Sequence, residues 1–198
     1  MNTIITISRE IGSGGHAIGK MVAEKLGIPF LDKEFINEVC KETGIDKKYV
    51  ETQDESGSWS NKYFNTNFYN ALYLGDPQDS IFRAQREIIL EHAQKGPCVI
   101  VGRCADYILK EAKIKCLNVF IYADKELRAK TLKVRDEGVT NEKVLAKKDK
   151  GRRFYYKYYT DQTFGDAKNY HISIDSGFFG IEKSADLIIG ALKKVDES

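Results

Sequence analysis

Residues 8–21 run SREIGSGGHAIGKM. Glycines placed between an apolar run and a helical pattern are what a phosphate-binding turn requires. Their backbone adopts bends closed to other residues and brings N–H groups up to an anion. Three readings of the stretch are open. Gly14-x4-Gly19-Lys20 has P-loop spacing, but Met21 stands where a Ser or Thr would hold a metal ion. Gly12-x-Gly14-x-x-Ala17 has the spacing of a dinucleotide-binding turn, and Asp32 falls 20 residues after Gly12, where a carboxylate would meet a ribose hydroxyl. The third reading is a shorter loop built on Gly12, Ser13, Gly14 and Gly15, with no lysine in it.

Other chemistry-bearing residues gather where strands should end. Arg9 directly follows the first apolar run, and carboxyl strand ends are where open α/β sheets hold ligands. VIVGR places Gly102 and Arg103 after a buried run, where a guanidinium needs a reason to be. Its planar fork suits a phosphate or a base, and pairing with a structural acid such as Asp106 is the alternative. His16 falls in the first turn of a helix, with Lys20 one turn later on the same face. Asp32 either orients an acceptor hydroxyl or a metal-bound water, or caps the next helix. Glu10 is either a water-mediated Mg²⁺ partner or a plain exposed acid. Between Lys143 and Lys157 lie seven basic residues against one acid, Asp149, forming either a solvated helix face or a phosphate-facing one.

These residues need a scaffold, and the apolar pattern supplies one. Short β-rich runs predict strands at 4–8, 29–31, 98–101, 117–122 and 172–175. VIVG and LNVFIYA are nearly continuous apolar runs, as in strands covered on both faces. Helical patterns fall at about 15–26, 33–43, 80–95, 104–112, 125–137, 141–160 and 181–194. The alternation predicts an α/β fold: a five-stranded parallel sheet with right-handed crossovers and helices on both faces. Residues 44–79 break the alternation and carry Trp59, Tyr63, Phe64, Phe68, Tyr69 and Tyr73. These rings either pack on the sheet, form a substrate-side lobe or make a homodimer interface.

The chain of 198 residues is long enough for one domain with a substantial core, and its formal charge of +2 favours no partner class. Cys40, Cys98, Cys104 and Cys116 show no paired spacing, so they are expected as reduced thiols. MNTIITIS lacks the features of a signal peptide and no stretch has the length of a membrane span, so a cytoplasmic protein without membrane contact is expected. FYYKYYTD combines basic and aromatic residues as single-stranded nucleic-acid binders do, but its spacing fits packing on the sheet better, and nucleic acid is not the expected partner.

Helix geometry separates the loop readings. Ile18, Met21, Val22 and Leu26 form one apolar stripe, so the helix starts near Gly15 and Lys20 lies more than a turn inside it. The apparent P-loop lysine is then a decoy. The dinucleotide reading needs a second nucleotide-binding half, for which the chain leaves little room, and it gives the basic segment nothing to do.

With the short loop favoured, ITISREIGSGGHAIGKMVAEKLGIPFLDKE resembles the opening of cytidylate kinase and its relatives, and most closely the cytidylate kinase-like group of P-loop proteins. GPCVIVGRCADYIL, FIYADKELRAK, DKGRRFYYKYYTD and SIDSGFFGIEKSADLI continue it. The resemblance implies a three-layer P-loop NTPase-like fold in a single domain, with an acceptor-side insert at about 33–97 and a lid at about 138–165. It implies ATP and Mg²⁺ as cofactors and a small nucleotide as substrate. Arg9, Gly12, Ser13, Gly14, Gly15 and His16 would bind the donor phosphates. Gly102, Arg103 and Gln85 would hold the acceptor, and Arg152, Arg153, Asp149 and Asp32 would serve transfer. Aligned on AEKLG, the P-loop lysine falls on Gly15 and the metal-holding hydroxyl on His16 or Ala17. No metal ligand is assigned. A kinase acting on cytidine or deoxycytidine monophosphate, or a nucleotide-binding regulator that has lost turnover, are the two expectations, ahead of an NAD-dependent oxidoreductase.

Overall fold

The computed structural model describes residues 3–32, 35, 77–134 and 142–196. The expected helix at 33–43 and the aromatic segment with its dimer role fall almost wholly outside these residues.

Five strands form one parallel sheet: β1 (Ile4–Arg9), β2 (Phe30–Leu31), β3 (Val99–Val101), β4 (Cys116–Tyr122) and β5 (Ile172–Asp175). Their order is β2-β3-β1-β4-β5. Six α-helices connect them among the described residues: α1 (Gly15–Leu26), α2 (Pro77–Lys95), α3 (Ala105–Glu111), α4 (Lys125–Val134), α5 (Glu142–Thr160) and α6 (Ser176–Asp196).

The order decides against the dinucleotide reading. In a dinucleotide-binding sheet the second strand lies beside the first, which brings its terminal acid to the ribose. Here β3 lies between β1 and β2, with Ile5 opposite Val99 and Phe30 opposite Val99 on the other side. Asp32 is therefore one strand removed from that place.

Side-chain alternation along β1 builds both layers. Ile5 and Ile7 join Ile18 and Val22 of α1 and Ile188 and Leu192 of α6 in one core. Ile4 turns the other way, into a core with Ile88 and Ile89 of α2 and Ile108 and Leu109 of α3. Thr6 is buried in the middle of the sheet and donates its hydroxyl to Asn118 Oδ1 at 2.7 Å, so the polar residue there has its partner.

Helix α1 begins at Gly15, where its apolar stripe requires, and Lys20 is exposed on its second turn. Gly19, which would anchor the decoy motif, is buried instead against Ile7, Val101 and Phe30. Helix α2 starts at Pro77, three residues before its expected start. Helix α6 contains two pieces, interrupted at Gly180 with φ 74° and ψ 176°. The long apolar stripe belongs to the second piece, which is why the pattern alone places the start at 181.

Candidate active site

The glycine loop connects β1 to α1 at the carboxyl edge of the sheet. Gly12 and Gly14 have φ of 77° and 76°, and no side chain caps α1 at its cap residue Gly14. The first N–H groups of the helix therefore point out of the loop as anion donors. Ser13 contributes shape: its hydroxyl donates to the Glu10 carbonyl at 2.9 Å, and the Ile121 carbonyl lies at 3.2 Å. On the far side, the Ser176 hydroxyl donates to the Ser13 carbonyl at 2.6 Å, tying the loop to the end of β5.

Gly15 has no room for a side chain. A Cβ there would lie 2.6 Å from Arg9 Cβ and 2.9 Å from its Cγ. The stem of Arg9 thus crosses the position where the alignment puts the P-loop lysine.

A small cleft opens beside the loop, between the ends of β1 and β3. Arg9, Gly102, Arg103, Arg152, Tyr155 and Tyr156 are among its lining residues, and its volume of about 10 Å³ leaves room for roughly one water. Arg103 is 1% exposed and Arg152 7%. Three arginines thus line one cleft, and the planar fork of a guanidinium is a shape that matches phosphate oxygens. Gly102, Arg103 and Cys104 are successive left-handed residues, with φ of 79°, 58° and 54°. Two non-glycine residues in that region cost on the order of 1–2 kcal/mol each, and strain of this kind concentrates at functional sites.

The remaining expected residues fall into two groups. Gln85, on α2, is buried, and its Oε1 accepts from the Tyr155 hydroxyl at 3.2 Å, one side chain away from the cleft. His16 Nε2 lies 3.0 Å from Asp32 Oδ2, bridging the first turn of α1 to the end of β2. Asp32 Oδ1 accepts from the Phe35 N–H at 2.9 Å, the contact of a helix N-cap. Arg153 is exposed and stands outside the cleft lining. Lys143, Lys147, Lys150 and Lys157 are exposed as well. The basic run is thus mostly a solvated face, and Arg152 is the member of it that lines the cleft.

Asp149 was expected among the transfer groups. It is 5% exposed and lies beneath the loop, where Oδ1 accepts from the Ile11 N–H at 3.0 Å and Oδ2 pairs with Arg128. Arg128 is a residue the sequence reading missed. Its available signal was position: in ADKELRAK it shares the inward stripe of α4 with Leu132, both buried, where an arginine is out of place without a partner. Tyr156 was also missed. Its hydroxyl donates to Asp106 Oδ2 at 2.7 Å, and burial, then the Asp106 charge, pushes its pKa far above the usual phenol range.

A profile of the cytidylate kinase-like family matches residues 4–177. The chain belongs to that family. It is 27% identical over 198 residues to a cytidylate kinase of Methanocaldococcus jannaschii, covering 96% of this chain and 97% of that one. A cytidylate kinase of Archaeoglobus fulgidus is 26% identical over 203 residues, covering 98% of each chain. Among solved structures, an uncharacterized protein from Eubacterium ventriosum superposes with a TM-score of 0.71 at 30% identity, over 96% of this chain and 98% of that one. A shikimate kinase from Bacteroides thetaiotaomicron superposes at 0.58 with 14% identity, over 98% and 99%, which speaks for the P-loop kinase fold alone. Family membership supports a nucleotide-kinase type of function. No helix among the described residues is long and apolar enough to cross a membrane.

Proposed function

We propose that this protein transfers a phosphoryl group from MgATP to a nucleoside monophosphate or similar small acceptor, with cytidine or deoxycytidine monophosphate as the default. The convergence of Arg9, Arg103 and Arg152 on one cleft beside an anion-binding loop carries the reading. Phosphoryl transfer asks a protein mainly for positioning and for positive charge around the transferred group. In this scheme the loop N–H groups of Gly12, Gly14, Gly15 and His16 receive the donor phosphates. Arg9, whose stem occupies the space over Gly15, supplies the charge a P-loop lysine would bring. Arg103 and Gly102 hold the acceptor phosphate, with Gln85 fixing Tyr155 behind them. Arg152 neutralises charge between the two, with α5 as the lid that carries it. Arg153 joins only if α5 turns toward the ligand.

No group of three metal-ligating side chains occurs among the described residues. A Mg²⁺ carried in on the nucleotide would keep much of its shell of waters and phosphate oxygens and need only one or two protein carboxylates. Asp32, at the end of β2, is the carboxylate suited to meet one of those waters. When bound, the ion would neutralise charge on the donor oxygens.

A second reading, a nucleotide-binding regulator without turnover, is favoured by one observation: the lysine position is a glycine with no space for a side chain. ADP formation from MgATP across a panel of nucleoside monophosphates separates the two. The kinase reading expects ADP that depends on one acceptor and falls at least tenfold in Arg103→Lys, whose charge remains but whose fork is gone. Nucleotide-dependent thermal stabilisation with no acceptor-dependent ADP would overturn it in favour of the regulator.

A further inference from the structure

The glycine loop is held from outside by the helices that follow it much later in the chain. Arg128, at 4% side-chain exposure, donates Nε to the Ile11 carbonyl at 2.7 Å and Nη1 to Glu10 Oε2 at 3.0 Å, while Nη2 pairs with Asp149. Asp149, on α5, returns to the loop by accepting from the Ile11 N–H. One turn further along α5, Arg152 Nη1 donates to the Arg9 carbonyl at 2.6 Å. The backbone of Arg128 also touches the loop, since a Cβ on Gly12 would lie 2.5 Å from the Arg128 carbonyl oxygen.

Both backbone polar groups of Ile11 are therefore satisfied by one buried ion pair. Half of that pair is on α4 and half on α5. A loop that presents N–H groups to an anion has few bonds of its own to hold its shape. Here the Ile11 backbone is held by Arg128 of α4 together with Asp149 of α5, and the Arg9 carbonyl by Arg152 of α5. We propose that Arg128 and Asp149 are positioning residues that couple α5 to the anion loop, so that docking of the lid helix assembles the donor-phosphate site. The lid then does more than cover a finished loop. This rests on the reading of the loop as the donor-phosphate site.

The variants are Asp149→Asn, which keeps size and removes charge, and Arg128→Lys, which keeps charge but cannot make three fork contacts. Arg128→Met completes the set. Two readouts are taken on the full chain at a temperature well below melting: amide hydrogen exchange of peptides covering residues 9–14, and MgADP and CMP affinities by calorimetry.

Asp149→Asn is expected to raise exchange in the loop at least tenfold while leaving the second piece of α6 at its wild-type rate. MgADP should bind at least tenfold more weakly, and CMP within threefold of wild type. Arg128→Lys should fall between Asp149→Asn and wild type in both readouts. A merely structural pair would lower the melting temperature without this split between donor and acceptor. Wild-type loop exchange in Asp149→Asn and Arg128→Lys overturns the coupling, as does equal loss of both ligands. If wild type itself fails to bind MgADP, the donor-site reading fails, and the exchange data still decide whether α5 holds the loop. Should Arg128→Met not fold, the other two variants suffice.

Discussion

Replacing Gly15 by alanine tests the position onto which alignment on AEKLG puts the P-loop lysine. The new Cβ would sit 2.6 Å from Arg9 Cβ, 2.9 Å from Arg9 Cγ and 3.4 Å from Ile121 Cβ. Carbon atoms rest at about 3.5–4.0 Å from one another, so close to an ångström must be found. Arg9 Cβ cannot give it, because Arg9 is paired with Ile121 in the sheet register. Either the arginine side chain swings off the loop or the start of α1 lifts. Overpacking costs about 1–3 kcal/mol, and the better helix propensity of alanine offsets up to about 1 kcal/mol. A net loss of about 1–2 kcal/mol lowers the melting temperature by about 2–8 °C in a chain of this size. The effect on binding is larger. Moving the Arg9 guanidinium removes a charge-assisted bond of about 1.5–3 kcal/mol, a loss of about 10- to 100-fold in MgADP affinity. Calorimetric titration beside a thermal melt reads both quantities. Gly190→Ala is the control: it lies in α6 with nothing within 4 Å of a new Cβ, and should gain about 0.5–1 kcal/mol without touching binding. If Gly15→Ala binds MgADP as wild type does, Arg9 does not supply the missing charge.

Two further outcomes follow from buried groups. Tyr156→Phe leaves the Asp106 carboxylate, 3% exposed, without the 2.7 Å hydroxyl bond it now accepts, and should cost about 1.5–3 kcal/mol in urea denaturation; a wild-type midpoint and slope would show that this bond contributes nothing net. Burial raises the thiol pKa of Cys98 and Cys116 from 9.0 to about 11. The unfolded chain then loses these protons first, so the stability they confer is intact below pH 9 and disappears as pH climbs toward 11. The loss is at most on the order of 3 kcal/mol per thiol. Melts at pH 8, 9.5 and 10.5 should show it, and the Cys98→Ala, Cys116→Ala double variant should delay the onset to about pH 10, where the buried tyrosines take over; an unchanged onset would assign the alkaline loss elsewhere.

The scaffold was legible because its signals are local. Near-continuous apolar runs mark buried parallel strands whatever lies around them, and all five strands agree with their runs to within a residue or two. The stripe Ile18–Met21–Val22–Leu26 alone dismisses the decoy lysine, since it starts the helix near Gly15 and leaves Lys20 more than a turn inside it, away from the P-loop lysine's place in the first turn. The site was legible only in part. Arg9 and Arg103 stand at carboxyl strand ends, the edge at which open α/β sheets hold their ligands. Arg128 and Asp149 lie on different helices, and their contacts reach back more than a hundred positions to the loop; no periodicity encodes such a meeting. The left-handed run through Arg103 and Cys104 was equally hidden, because only Gly102 carries a residue type that advertises positive φ. The basic segment left a solvated face and a phosphate-facing one both open, and helical geometry divides it between them: consecutive residues turn about 100° apart, so Arg152 lines the cleft while Arg153 and most of the lysines are exposed.

The proposed scheme accounts for an anion site that carries a glycine where alignment on AEKLG puts a lysine. A P-loop lysine grows from the first turn of the helix and reaches forward over the phosphates. In the scheme proposed above, the charge comes instead from Arg9 at the end of the preceding strand, whose stem lies over the helix start. The two arrangements compete for one space: with the Arg9 stem over residue 15, a Cβ there would lie 2.6 Å from Arg9 Cβ, so a side chain enters only if the stem or the start of α1 shifts. An arginine at this place also differs from a lysine in kind, since its fork can bridge two oxygens and keep its charge at any working pH. Its fixed orientation requires a fixed origin. The Arg9 carbonyl is gripped by Arg152, and the next two residues are clamped by Arg128 and Asp149. A charge delivered from a strand end through a rigid fork is useful only if the strand end itself is held, which gives a physical reason for so much buried ionic structure to be gathered around three residues of loop.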